Sequence, residues 1–220
     1  MARSKPAPRD WLDNGLVSDS LRALARRGEV RRYAKGTLIL QEGDFGDTLY
    51  VILDGRLRAF SMEASNGREI TYGHYGAGEY VGEFGLDGGP RAASVIAMES
   101  SVCAVITRPT LEAYVAAQPA FAFELLAKVI RRARAATLTA RQLALNDVYG
   151  RLRLLLDSLA VAAPGGLRTI GERLRHQDIA NRIGCTREMV SRVMKDLEKS
   201  GCLRLEGGLL QLTRPLPARW

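Results

Sequence analysis

An α+β chain is predicted: an N-terminal jelly-roll (double-stranded β-helix) sensor domain, a long dimerisation helix and a C-terminal winged helix-turn-helix. Three observations predict it. Residues 33–107 alternate short runs rich in Val, Ile, Leu, Tyr and Phe with glycines at Gly36, Gly43, Gly46, Gly55, Gly67, Gly76, Gly78 and Gly82, the punctuation of short strands and tight turns. Residues 122–145 keep an apolar heptad. Beyond Asp147, two short amphipathic helical patterns flank a glycine, and two apolar runs follow around Gly207-Gly208. The expected boundaries are 1–118 for the roll, 119–146 for the long helix and hinge, and 147–220 for the winged helix-turn-helix.

Composition narrows the class. At 220 residues, 46% hydrophobic and 25% charged, the chain is long enough for one or two cored domains. No stretch approaches the roughly 18 consecutive apolar residues of a membrane span, and residues 1–9 are basic without the apolar centre of a signal peptide. A cytoplasmic protein with no membrane partner is expected. Cys103, Cys185 and Cys202 are too few and too scattered for a disulfide framework or a four-thiolate cluster, so all three read as small core residues. His74 and His176 lack a partner at metal-ligand spacing, and no Ser-His-Asp or Cys-His constellation is present. No metal, haem, iron-sulfur cluster or catalytic activity is therefore expected.

Within the roll, Asp54-Gly55 and Asn66-Gly67 signal two-residue hairpin turns. Leu49–Leu53 and Arg56–Phe60, on either side of the first, read as one hairpin. Closing two sheets on each other removes edges and leaves a cavity for a small ligand. The ligand signal is the segment Gly82-Glu83-Phe84-Gly85-Leu86-Asp87-Gly88-Gly89-Pro90-Arg91-Ala92-Ala93-Ser94. Its glycines let backbone N–H groups approach a phosphate, and Arg91 can pair with phosphate oxygens, a contact worth on the order of 1.5–3 kcal/mol. Glu83 is a poor phosphate ligand but a good acceptor for a ribose hydroxyl. Sugar plus phosphate means a nucleotide; the alternative is a glycine-rich surface turn with a solvated arginine.

The long helix carries Ala122, Leu126, Val129, Ala133, Ala136, Ala140 and Leu143 at spacings of 4, 3, 4, 3, 4 and 3. That seam predicts a homodimer in which two such helices pack, closely where the alanines fall. Leu125, Leu138 and Leu145 lie off it and can serve a second contact with the roll. Lys128, Arg131, Arg132, Arg134 and Arg141 fill the remaining face and read as solvated. A core helix packed only on its own roll is the alternative.

In the last third, residues 177–183 read as a short helix ended by Gly184, and Thr186 can N-cap the next. At about 100° per residue, Arg187, Glu188, Ser191 and Arg192 fall within roughly 140° of one another. Met189, Val190, Val193, Met194 and Leu197 fill the opposite side. Arginine forks donate to guanine O6 and N7 and a carboxylate accepts from cytosine N4, so this face can read base edges; a solvated face with a Glu188–Arg192 pair is the alternative. His176 at the preceding helix start suits a DNA phosphate, and Gln177, Thr186 and Lys195 complete the candidate surface. Leu203, Leu205 and the run Leu209–Leu212 around Gly207-Gly208 read as a β-hairpin wing. From Asp147 on there are 13 Lys+Arg against 8 Asp+Glu, five of the chain's net +8.

The cassette Gly82–Ser94 resembles the phosphate-binding cassette of cyclic-nucleotide-binding domains, and the C-terminal half resembles the Crp-Fnr regulators. The resemblance covers nearly the whole chain. It implies that Glu83 holds the ribose 2′-OH, that Arg91 with the Gly82 and Ala92 backbone holds the cyclic phosphate, and that Phe84 lies in the same site. Ala92 is similar to the residue of cAMP-preferring cassettes; the loop Asp87–Gly89 is shorter than the family's best-known form. A Thr-Ser pair in the long helix of cAMP-responsive members, the second from the partner subunit, corresponds to Ala136 and Thr137, one hydroxyl instead of two. Arg187, Glu188 and Arg192 would meet operator bases. The implied function is a homodimeric, cAMP-controlled DNA-binding transcriptional regulator. It would read a palindrome with two recognition helices about 34 Å apart, hinged at Asn146-Asp147, with RNA polymerase as a further partner. Cyclic di-GMP, another nucleotide or no effector at all is the alternative.

Overall fold

A computed structural model of the chain describes residues 11–12, 14–163 and 167–219. It divides into two compact units: one takes in the chain to Ser61 and Tyr72–Arg132, the other Met62–Thr71 and the chain from Ala133.

In the first, α1 (Asp19–Ala25), capped by the Ser18 side chain on Leu21 N, precedes the roll. Its strands are β1 (Glu29–Tyr33), β2 (Leu38–Leu40), β3 (Leu49–Asp54), β4 (Arg56–Met62), β5 (Glu69–Gly76), β6 (Tyr80–Val81), β7 (Ser94–Ala97) and β8 (Ser101–Ile106). They form two four-stranded sheets, ordered β1-β8-β3-β6 and β2-β7-β4-β5, as a jelly-roll requires. Strand β3 shows why the apolar runs lack polar alternation. Leu49, Val51 and Leu53 point into one cluster, with Leu21, Tyr80, Ala104 and Ile106, while Ile52 points into the other, with Leu40, Leu57, Val95 and Cys103. A strand covered on both faces reads as continuous apolar sequence.

Two turn expectations are corrected. Leu49–Leu53 and Arg56–Phe60 do not pair with each other, because β3 and β4 belong to different sheets. Asp54-Gly55 is a corner between them: Gly55 has φ +83°, and a Cβ there would lie 2.7 Å from the Ser100 carbonyl oxygen. Asn66-Gly67 does join neighbouring strands, but in a loop of residues 63–68, where Asn66 Oδ1 accepts from Arg68 N at 2.9 Å.

Helix α2 (Arg108–Ala117) follows the roll, capped by Thr107 on Thr110 N, and α3 (Ala120–Leu145) is the long helix, with Phe121 alone fully buried. Of the residues expected to make its second contact, only Leu125 packs on the roll's core. Leu138 and Leu145 are 57% and 72% exposed, which corrects that expectation. Phe123, Leu126 and Ile130 are exposed too, and Phe123 and Ile130 widen the apolar face beyond the predicted seam.

The second unit packs α4 (Val148–Leu159), α5 (His176–Ile183) and α6 (Arg187–Lys199) against a sheet ordered β11-β12-β10-β9. Its strands are β9 (Ala160–Ala162), β10 (Arg168–Ile170), β11 (Leu203–Glu206) and β12 (Leu209–Leu212). The predicted wing is β11–β12, turning through Gly207 and Gly208, both at positive φ; β9 and β10, three residues each, went unseen in the sequence. Leu152, Leu156, Ile170, Ile179, Val190, Leu197 and Leu210 form the core. Within this same unit, which takes in Met62–Thr71, Glu69 at the start of β5 accepts from Asn181 Nδ2 at 2.8 Å and Arg68 donates to the Gly184 carbonyl at 3.0 Å.

Candidate nucleotide pocket and DNA-reading face

The cassette folds as a 3-10 turn, Glu83–Asp87, between Gly82 and Gly88, whose φ values of +93° and +88° only glycine adopts without strain. Arg91 lies beneath it, 5% exposed. One guanidinium nitrogen donates to the Gly82 carbonyl at 2.6 Å and another to Thr48 Oγ1 at 2.9 Å. Glycines make room for it: a Cβ at Gly46, Gly82 or Gly85 would come within 3.1, 3.0 or 2.8 Å of an Arg91 nitrogen, and the one at Gly85 would also strike the Gly46 carbonyl. Burial pushes the Arg91 pKa down, while Tyr50, Asp47 and Glu83 nearby push it up; a guanidinium stays charged at any ordinary pH.

Glu83 is also buried, its side chain 7% exposed, and is paired with Arg132 of α3, 15% exposed. Arg132 further donates to the Tyr80 carbonyl and lies over the Tyr75 and Tyr80 rings. Lys128, one turn earlier, donates to the Gly78 carbonyl at 2.8 Å. The expectation that these two cations are merely solvated is therefore overturned, whereas Arg131, Arg134 and Arg141 are exposed. A helix pattern alone does not reveal which of its charges will meet the carbonyls and carboxylate of a sheet. A carboxylate has about four acceptor positions, so one ion pair leaves capacity for a sugar hydroxyl. Because a buried carboxylate without its partner is costly, Arg132→Met is expected to lower stability by on the order of 3 kcal/mol, read by denaturant titration.

Phe84 and Ala92, within the cassette, are exposed. Ala136 and Thr137 are exposed on α3, and the Thr137 hydroxyl donates to the Ala133 carbonyl at 3.0 Å. Thr48, which orients Arg91, escaped the sequence reading: it stands 43 residues away, immediately before β3.

In the second unit Gly184, at φ +66°, ends α5, and the Thr186 hydroxyl accepts from Met189 N at 3.3 Å to open α6. Val190, Val193, Met194 and Leu197 are buried and Met189 is half-buried. Arg187, Glu188, Arg192 and Lys195 project outward, as do Gln177 and Thr186. His176 opens α5, and its Nδ1 lies 2.8 Å from Ser191 Oγ. Cys103 and Cys202 are buried and Cys185 is half-buried; burial pushes the Cys103 thiol up to about 12, so it is inert. Among the described residues no group of acidic, histidine or cysteine side chains could hold a metal ion, and no helix is long and apolar enough to cross a membrane.

A jelly-roll whose glycine-lined turn encloses an arginine and a carboxylate, followed by a long helix and a winged helix-turn-helix, defines the class: a nucleotide-binding-domain regulator with a DNA-binding head. Residues 30–118 match the family described as "Cyclic nucleotide-binding domain" and residues 173–203 that described as "Bacterial regulatory proteins, crp family". The chain is 32% identical over 202 residues to the Cyclic AMP receptor protein of Thermus thermophilus, covering 91% of each. It is 31% identical over 205 residues to the CRP-like protein Clp of Xanthomonas axonopodis pv. citri, covering 89% of this chain and 87% of that one. The structure of the c-di-GMP responsive global regulator CLP of Xanthomonas campestris superposes with a TM-score of 0.76 at 27% identity, over 88% of this chain and 97% of that one. The chain belongs to the CRP family of bacterial transcriptional regulators, which carry a cyclic-nucleotide-binding domain.

Proposed function

We propose that this CRP-family regulator is a homodimer whose sequence-specific binding to palindromic DNA is controlled by cAMP. The observation that carries the effector reading is the presence of both Arg91 and Glu83 in one glycine-lined cassette, a cation for a phosphate and a carboxylate for a ribose hydroxyl. Gly82, Phe84 and Ala92 border them. The Thr137 hydroxyl donates its hydrogen bond to the Ala133 carbonyl and offers lone pairs, which suits an adenine amino group approaching from the partner subunit; Ala136 adds apolar contact. Ala92 and the likeness to a cyclic AMP receptor protein favour cAMP. Cyclic di-GMP is the second reading, favoured by the likeness to a regulator described as c-di-GMP responsive. Calorimetric titration with cAMP, cGMP and cyclic di-GMP, each paired with a gel shift on operator DNA, separates the two.

Leu126, Val129, Ala133, Ala136, Ala140 and Leu143, on a helix with one fully buried residue, supply the dimer seam. Two copies of α6 then read half-sites about 34 Å apart. Asn146-Asp147 is the hinge; Asp147 caps α4 by accepting from Gly150 N at 2.7 Å. To move a 1:99 mixture of resting and DNA-competent dimers to 99:1, the nucleotide must prefer the second about 10⁴-fold. His176, Gln177, Thr186, Arg187, Glu188, Ser191, Arg192 and Lys195 form the DNA surface. Arg187→Ala is expected to lose about 1–3 kcal/mol of discrimination at one base pair of each half-site, measured by competition between operator variants. Equal weakening on every sequence would make Arg187 a phosphate contact. The protein works in the cytoplasm with RNA polymerase as its further partner, and is not an enzyme.

A further inference from the structure

Two side chains of the DNA-reading surface are joined to each other. His176 opens α5 and Ser191 sits on the outward face of α6, 15 residues on, yet Nδ1 of the one lies 2.8 Å from Oγ of the other, and both are half-buried. A seryl hydroxyl has one proton and two lone pairs, and a neutral imidazole carries its proton on one nitrogen only. If that proton is on Nε2, Nδ1 accepts from Ser191, and the serine shows the groove lone pairs alone. If it is on Nδ1, the ring donates and the serine keeps its proton for a base.

The reading of His176 as a phosphate contact selects the first. His176 is the first residue of α5, where the DNA reading above places backbone phosphates; an Nε2–H donates to a phosphate oxygen, whereas an Nε2 lone pair would be repelled by it. The major-groove edges then decide what Ser191 can accept. Adenine N6 and cytosine N4 are donors there, while guanine O6 and N7 and thymine O4 are acceptors.

We propose that His176 is a positioning residue that fixes Ser191 as a hydrogen-bond acceptor, so that the base facing Ser191 in each half-site is adenine or cytosine. This rests on the reading of α6 as the recognition helix. It assigns His176 a part in specificity without contact to any base.

The test is selection from a randomised palindrome library by the 220-residue chain with cAMP, with cyclic di-GMP and without nucleotide, compared with His176→Ala, His176→Asn and Ser191→Ala. The unsubstituted chain is expected to select adenine or cytosine at one position per half-site, and Ser191→Ala to level that position alone. His176→Ala should lower the preference there roughly three- to tenfold, the scale of one hydrogen bond, and admit guanine or thymine as the freed hydroxyl donates. Asparagine can place its amide oxygen where Nδ1 was, so His176→Asn should restore adenine or cytosine. A His176→Ala motif identical to the unsubstituted one, or one weakened equally at every position, overturns the proposal. Selection of no motif by the unsubstituted chain under all three conditions overturns the DNA reading beneath it, and the proposal with it.

Discussion

Arg91→Ala is expected to abolish cAMP binding in calorimetry, and with it any cAMP-dependent gel shift, while the roll remains folded. The guanidinium is nearly enclosed, with the Gly82 carbonyl and Thr48 hydroxyl fixing its plane, so a phosphate arriving at the cassette would meet a donor already oriented. Two charge-assisted hydrogen bonds at about 1.5–3 kcal/mol each put the loss at roughly two to four powers of ten in affinity. Stability should fall by far less, because the donors removed serve one carbonyl and one hydroxyl. Arg91→Lys keeps the charge and loses the fork, and belongs between the two. Unchanged affinity in the alanine variant would remove Arg91 from the pocket.

If the chain pairs through α3 as proposed, Ala140→Glu is expected to dissociate that dimer and remove binding to palindromic DNA at physiological salt, with or without nucleotide. In one copy of the chain Ala140 is exposed on α3, and glutamate is a good helix former, so the helix itself is undisturbed. Across a two-fold seam the two carboxylates would face each other at one of the alanine positions where the backbones can come close. Burying unpaired charge there costs on the order of 3–5 kcal/mol, enough to raise the dissociation constant by two to three powers of ten or more. Sedimentation equilibrium reads this directly, and an undiminished dimer would place the interface elsewhere.

The parts of this architecture that depend on neighbours in sequence were legible. Gly184 and Thr186 announced the end of one helix and the start of the next, and the glycines of the cassette announced a turn with close backbone approach. Contacts between distant segments were not. Asp54-Gly55 has the chemistry of a tight hairpin, but the burial of β3 on both faces sends the next strand to the opposite sheet. Arg132 looks like any cation on a basic helix until β6 and Glu83 are brought beside it. Strands of three residues, such as β9 and β10, carry too few side chains for a period to register.

The sparse burial of α3 has a consequence for abundance. A rod of 26 residues, about 39 Å long, with Phe123, Leu126, Ile130 and Leu138 facing water, is a poor end state for a solitary chain. If two copies cover that face as proposed, mass action couples lifetime to copy number. Freshly made or diluted chains would be the ones taken by proteases, and paired ones would be spared, so a cell would hold a floor concentration below which this regulator does not accumulate.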